Sequence, residues 1–250
     1  MISQLPLPLI LGFFLVLTRI SGLLATAPVL GSRSVPTRIK AGLSLALAVI
    51  AFLSARAPQI AIPPDVFSLA ALVLSELAVG VAAGLSSRLV LDAAQFGGQA
   101  AGAAMGIGFG QMINPNSGAD SSTIGELYGA LALAAALALG VHTEAIAWIV
   151  RSLQEVPPGG TIDLPSLASA MIRQIIFAVT LAIRVAYPLF AASLFGYTAL
   201  GLLGKAAPQL SLSNLGFGVS ILCGGGAIYL VAPEGARVCA QAALTVFTRS

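Results

Sequence analysis

From Leu5 to Gly31 the chain carries a single charged residue, Arg19, and apolar stretches of this kind recur along its length. About 20 apolar residues cross a bilayer as a helix, and inside hydrocarbon every backbone polar group must be satisfied within the protein. Length and alanine/leucine content select helices for these stretches. Charged residues make up 8% of the chain, against about 25% in soluble domains, too few to cover a water-facing surface. The expected fold is therefore all-α, a polytopic integral membrane protein of about six to seven apolar helices.

The segments are uneven. Leu5–Gly31, Ile39–Ala55, Val66–Leu91, a glycine-rich stretch from Gly97 to Ile113, Ile124–Val150, Leu167–Gly204 and Leu212–Val231 form the apolar series, and Gly235–Ser250 reads as a short amphipathic tail. Pro188 predicts a kink or break, while Pro63-Pro64 and Pro157-Pro158-Gly159-Gly160 mark breaks outright. Arg33, Arg38 and Lys40 place their loop on the cytoplasmic side. The N-terminus lacks the basic start of a cleavable signal. No repeat divides the chain into matching transporter halves.

Catalysis and cofactors find no support. Gly106-x-Gly108-x-Gly110 has neither the spacing nor the context of a dinucleotide loop. One histidine, His142, and two cysteines, Cys223 and Cys239, make no familiar zinc site, and the cysteines are expected to be free. A net charge of +3, spread over scattered residues, argues against nucleic acid. The expectation is no enzyme, no metal and no cofactor.

Ionisable residues inside apolar segments are costly and are functional candidates for that reason: Arg19, Glu76, Arg88, Asp92, Glu126, Arg173 and Arg184. Arg88 and Asp92 stand one turn apart and can pair on one helix face. Glu126 completes a capping box with Thr123. Glu76 has no local partner, so it pairs with another helix or subunit, or lines a wet cavity.

Gly98, Gly102, Gly106 and Gly110 recur every four residues and would share one helix face, suited to close backbone approach. The ladder feeds Gln111–Ser122, which is crowded with polar and turn-forming residues. A solvent loop and a loop projecting into a protein-lined passage both fit.

Several stretches together resemble the FliR/SctT family, the single-copy subunit of the type III secretion export gate. They are Val35-Pro-Thr-Arg38-Ile-Lys40, then Glu76-Leu-Ala-Val-Gly80-Val-Ala-Ala-Gly84-Leu, then the ladder followed by Asn114-Pro115, where the family often has Asp-Pro. Gly140-Val-His142, Arg151-Ser152-Leu, Val156-Pro-Pro-Gly159 and Lys205-Ala-Ala-Pro208…Asn214-x-Gly-Phe217 follow in order. The His favours the flagellar branch, with the injectisome branch as the alternative.

The resemblance implies a fusion of two helical units, a FliP-like body over residues 1–165 and a FliQ-like hairpin with tail over 166–250. It implies one copy assembled with FliP and FliQ homologues around a protein-conducting pore in the bacterial inner membrane, at the flagellar basal body. FlhB and FlhA homologues are the further implied partners, and unfolded export substrates the cargo. The glycine-rich region 97–122 would supply a lumenal plug, with Met105, Gly106, Gly108, Phe109, Gly110, Met112, Ile113, Asn114, Pro115, Asn116 and Ser117 as its residues. Gly80, Gly84, Gly98 and Gly102 are read as helix-packing positions, and Glu76, Arg88 and Asp92 as intramembrane charges. Two rivals stand beside this reading: a small-solute transporter with a broken helix at 97–122, and a purely structural assembly factor.

Overall fold

A computed structural model describes residues 7–31, 35–54, 64–106, 123–206 and 212–248. Among the described residues there are seven helices and no strand: α1 (Leu7–Thr26), α2 (Thr37–Ser54), α3 (Val66–Ala104), α4 (Thr123–Ala138), α5 (Val141–Glu155), α6 (Leu164–Ala206) and α7 (Leu212–Thr248). The all-α membrane expectation holds. Helices α1, α2, α3 and α6 are each long and apolar enough to span, and α4 with α5 would add a fifth span if counted as one.

Segment boundaries differ from the sequence reading in three places. First, α3 runs for 39 residues and absorbs the first half of the glycine ladder. Second, the expected single helix over Ile124–Val150 is two helices. Gly140 has φ 78°, which a right-handed helix cannot continue. The next helix starts with the Thr143 hydroxyl donating to the Gly140 carbonyl at 2.6 Å. Third, Pro188 does not break α6, and Pro233 lies inside α7, which joins the expected last segment and the tail into one helix. A proline removes one helical hydrogen bond, and membrane helices tolerate it where neighbours re-satisfy the freed group.

The chain forms two compact units. The first comprises Met1–Leu89, Gly140–Ile175 and Ala243–Ser250. Its core is Leu15, Val16, Ile20, Leu23 and Leu24 of α1, Ala48 and Ala51 of α2, and Trp148, Ile149 and Leu153 of α5. Phe13 meets Phe52 edge to face, centroids 5.6 Å apart, fixing α1 on α2. Helices α1 and α3 run parallel here. A Cβ on Gly22 would lie 2.9 Å from the Leu77 carbonyl oxygen; one on Gly80 would strike the Arg19 carbonyl, and one on Gly84 the Thr26 hydroxyl. Only glycine allows this approach, the small-xxx-small arrangement of membrane helices.

The second unit comprises Val90–Leu139 and Ile176–Ala242. Its core is built from small residues, among them Ala93, Ala94, Ala101, Ala132, Ala136, Ala236 and Ala240, around Tyr128, Leu181 and Leu189. Cys223 and Cys239 are both free. Ile176, Ile183, Leu194 and Phe195 of α6 are exposed, a surface suited to lipid or other apolar protein rather than water.

Candidate functional site

Two regions concentrate the chain's polar and conformationally special residues. One lies in the first unit. Arg19 sits mid-way along α1 and Glu76 lies on the α3 face that also carries Gly80 and Gly84, one and two turns further on. Both side chains are fully buried, and Arg19 Nε donates to Glu76 Oε2 at 2.6 Å. The Arg19 Nη1 group donates to the carbonyls of Ser152 at 2.9 Å and Val156 at 3.0 Å. These carbonyls belong to the last turn of α5 and its cap, where a helix leaves acceptors unfilled and favours a cation.

The chain then turns at Pro157-Pro158-Gly159-Gly160. The Gly160 N–H donates to the Pro157 carbonyl at 2.9 Å, and Gly159 has φ 77°. Proline then a left-handed glycine is the sequence signature of a type II turn. That turn presents the Gly159 N–H to Glu76 Oε1 at 2.9 Å. One carboxylate thus holds both a guanidinium and a backbone turn, and α1, α3 and α5 are tied at one point. Arg19 Nη2 is buried with no partner among the described residues.

The other region lies in the second unit, where the ladder ends. A Cβ on Gly98 would lie 2.9 Å from the Ile124 carbonyl oxygen and 3.0 Å from Tyr128 Cβ, and a Cβ on Gly125 would lie 3.1 Å from the Gln95 carbonyl oxygen. Glycines from α3 and α4 thus interdigitate along an antiparallel pair. Gly102 is buried on the same helix. Past Ala104 the helix tightens. Met105 N–H bonds to the Ala101 carbonyl at 3.0 Å and Gly106 N–H to the Ala103 carbonyl at 3.1 Å. Gly106 then turns left-handed, with φ 76°. The Tyr197 hydroxyl of α6 donates to the Ala104 carbonyl at 2.9 Å. Met105 is 1% exposed and lies where a side chain on Gly224 of α7 would stand.

The structure brings Arg19 and Glu76 together, a pairing across 57 positions that no local spacing announces. Arg88 is exposed and Asp92 half-buried on α3. Arg173 bonds Ser169 on its own helix, and Arg184 is exposed. Glu126 lies in the first turn of α4. Of the expected plug, Met105 and Gly106 are described; Gly108, Phe109, Gly110, Met112, Ile113, Asn114, Pro115, Asn116 and Ser117 lie outside the described residues. Sequence reasoning quoted Ser152 and Val156 within motif stretches and gave neither a role, and it missed Tyr197 and Gly224. Of those last two, Gly224 carried a signal, as the first of three consecutive glycines in an apolar run.

Fold and site together define a polytopic membrane protein, all-helical among the described residues, with a buried ion pair and a long glycine-bearing helix that is followed by a left-handed glycine. The sequence matches the family described as bacterial export proteins, family 1, over residues 10–245, and the chain belongs to that family. It is 28% identical over 212 residues to the flagellar biosynthetic protein FliR of Escherichia coli strain K12, covering 85% of this chain and 80% of that one. The protein of that name from Pectobacterium carotovorum subsp. carotovorum is 29% identical over 217 residues, with 85% and 80% covered. That of Bacillus subtilis strain 168 is 29% identical over 218 residues, with 84% and 82% covered. The family resemblance carried by the sequence motifs is thereby borne out.

Proposed function

We propose that this chain is a subunit of the flagellar type III protein export gate, forming part of the inner-membrane pore for unfolded substrates. Residues 106–122 help to plug the pore when it is closed. The observation that carries the reading is the family match over residues 10–245, together with relatives that bear the flagellar name. The anchored end of α3 supports the plug: a buried Met105, a capped Ala104 carbonyl and a left-handed Gly106 give the following residues a fixed point of departure.

One copy assembles with FliP and FliQ homologues, and FlhB and FlhA homologues complete the apparatus. The exposed apolar face of α6 suits burial against such neighbours. The FliP-like body over 1–165 and the FliQ-like hairpin over 166–250 are a division by chain order, and each of the two compact units draws on both stretches. The role is structural and conductive rather than enzymatic.

Deleting Asn114 to Ala119 tests the plug. In an assembled membrane complex the deletion is expected to pass ions while the parent stays closed. Background conductance from the assembled deletion variant sinks the plug. Purification of the native complex with its mass measured tests the partners; a chain that purifies alone and takes up a small solute favours a transporter instead.

A further inference from the structure

We infer that Gly224 is a seat kept open for Met105. The seated Met105 and the Tyr197 hydroxyl together set the position from which the residues after Gly106 leave α3. In the plug reading, on which this inference rests, that position is the closed one.

Glycine inside a helix is less stable than alanine by about 1 kcal/mol, so three in succession at 224–226 call for a reason. Gly225 and Gly226 have open space where a Cβ would stand. Gly224 does not: a Cβ there would meet Met105 Sδ, with Met105 Cγ and Cε both at 2.6 Å. The thioether therefore fills the volume that any other residue at 224 would claim for itself.

Met105 follows the last residue of α3, yet it is 1% exposed. Unfilled helix-end carbonyls need partners, and the Tyr197 hydroxyl supplies one at Ala104. The first residue beyond these holds is Gly106, whose φ of 76° suits glycine. Methionine suits a seat that has to be left and refilled, because its unbranched side chain changes rotamer at small cost.

The test uses the assembled membrane complex and its ion conductance in the closed state. Gly224→Leu expels Met105 and is expected to raise the leak several-fold. Adding Met105→Ala makes room for the new leucine, so the double variant returns towards the parent. Gly224→Ala and Tyr197→Phe give smaller rises. A tight Gly224→Leu complex alongside a leaking deletion of Asn114 to Ala119 overturns the seat and leaves the plug standing. If neither leaks, plug and seat fall together. A double variant that leaks as much as Gly224→Leu alone also overturns the seat. Should Gly224→Leu fail to assemble, the milder pair decides: background conductance from both refutes the seat.

Discussion

The end of α5 and the end of α3 are held by opposite chemistry. At α5 a buried guanidinium meets the last carbonyls and is itself held by a buried carboxylate, which also grips the following turn. At α3 the hold is a single phenolic hydroxyl, a methionine in a glycine slot, and glycine packing along α4. The difference lies in what letting go would cost. Separating Arg19 from Glu76 strands a buried charge, which is strongly destabilising. These contacts at the end of α3 are uncharged, and a hydrogen bond of this kind contributes on the order of 1 kcal/mol. Such a joint can open in steps, which suits the segment assigned to the plug.

The sharpest test of this contrast is Glu76→Ala. It leaves Arg19 buried without its partner and is expected to destabilise the purified native assembly by about 3–5 kcal/mol, read as a lower thermal midpoint. Replacing both Arg19 and Glu76 by leucine should cost much less, since no charge is stranded. Equal losses from the single and double variants would show that the joint is not held by charge pairing.

Next come the glycines. Gly80→Ala drives a methyl into the Arg19 carbonyl, backbone that cannot step aside, and is expected to cost about 1–3 kcal/mol through overpacking. At Gly98 two of the three nearest atoms belong to the Tyr128 side chain, at 3.0 Å, whereas at Gly80 all three are backbone; alanine's better helix propensity, about 1 kcal/mol, acts equally at both. The loss at Gly98 should therefore be the smaller; the reverse order in thermal unfolding would break the comparison.

The end of α7 is an intermediate case. Arg151 Nη2 donates to the Phe247 carbonyl at 2.8 Å and meets Glu144 at 3.2 Å, partly exposed. Arg151→Ala should cost about 1 kcal/mol, mainly through that carbonyl. Glu144→Ala should change stability little, because half-exposed pairs contribute weakly.

The smallest effect belongs to Asp65, which precedes α3. Hydrogen bonds from the Ser68 hydroxyl at 2.6 Å and the Ser68 N–H hold its carboxyl below the ordinary 3.8. A lowered carboxyl favours the folded state above its ordinary value and loses that contribution as pH falls through the lowered one. The stability of the parent should therefore drop slightly more than that of Asp65→Asn on acidification below pH 3.8. Parallel pH profiles would remove the cap from the account.

The class of fold was legible because hydropathy alone determines it, and the family because its motifs survive in order. Arg19 and Glu76 could each be singled out as costly in an apolar run, but their pairing depends on how α1 packs on α3. Gly80 and Gly84, one and two turns beyond Glu76, were the visible trace of that packing. The break at Gly140 was hidden because Leu139 and Val141 continue the apolar pattern on either side, and only a left-handed φ stops the helix. Pro188 misled in the other direction as far as a break was concerned, since a proline's local penalty can be met inside a packed membrane bundle. Tyr197 carried no signal at all: a tyrosine in an apolar helix points to no particular carbonyl.

The clasp also has a consequence for synthesis. Arg19 leaves the ribosome 57 residues before Glu76 and 133 before Ser152. At roughly 5–20 residues per second, that is a wait of roughly 3–11 s for the carboxylate and longer for the carbonyls. An arginine at the centre of an inserting helix opposes insertion by roughly 2.5–3.5 kcal/mol, and α1 must be apolar enough to enter the membrane in spite of it. The first helix is thus laid down before its charge is balanced. Arrival of α3, parallel to α1 and bearing Glu76, is the moment at which Arg19 first meets its counter-charge.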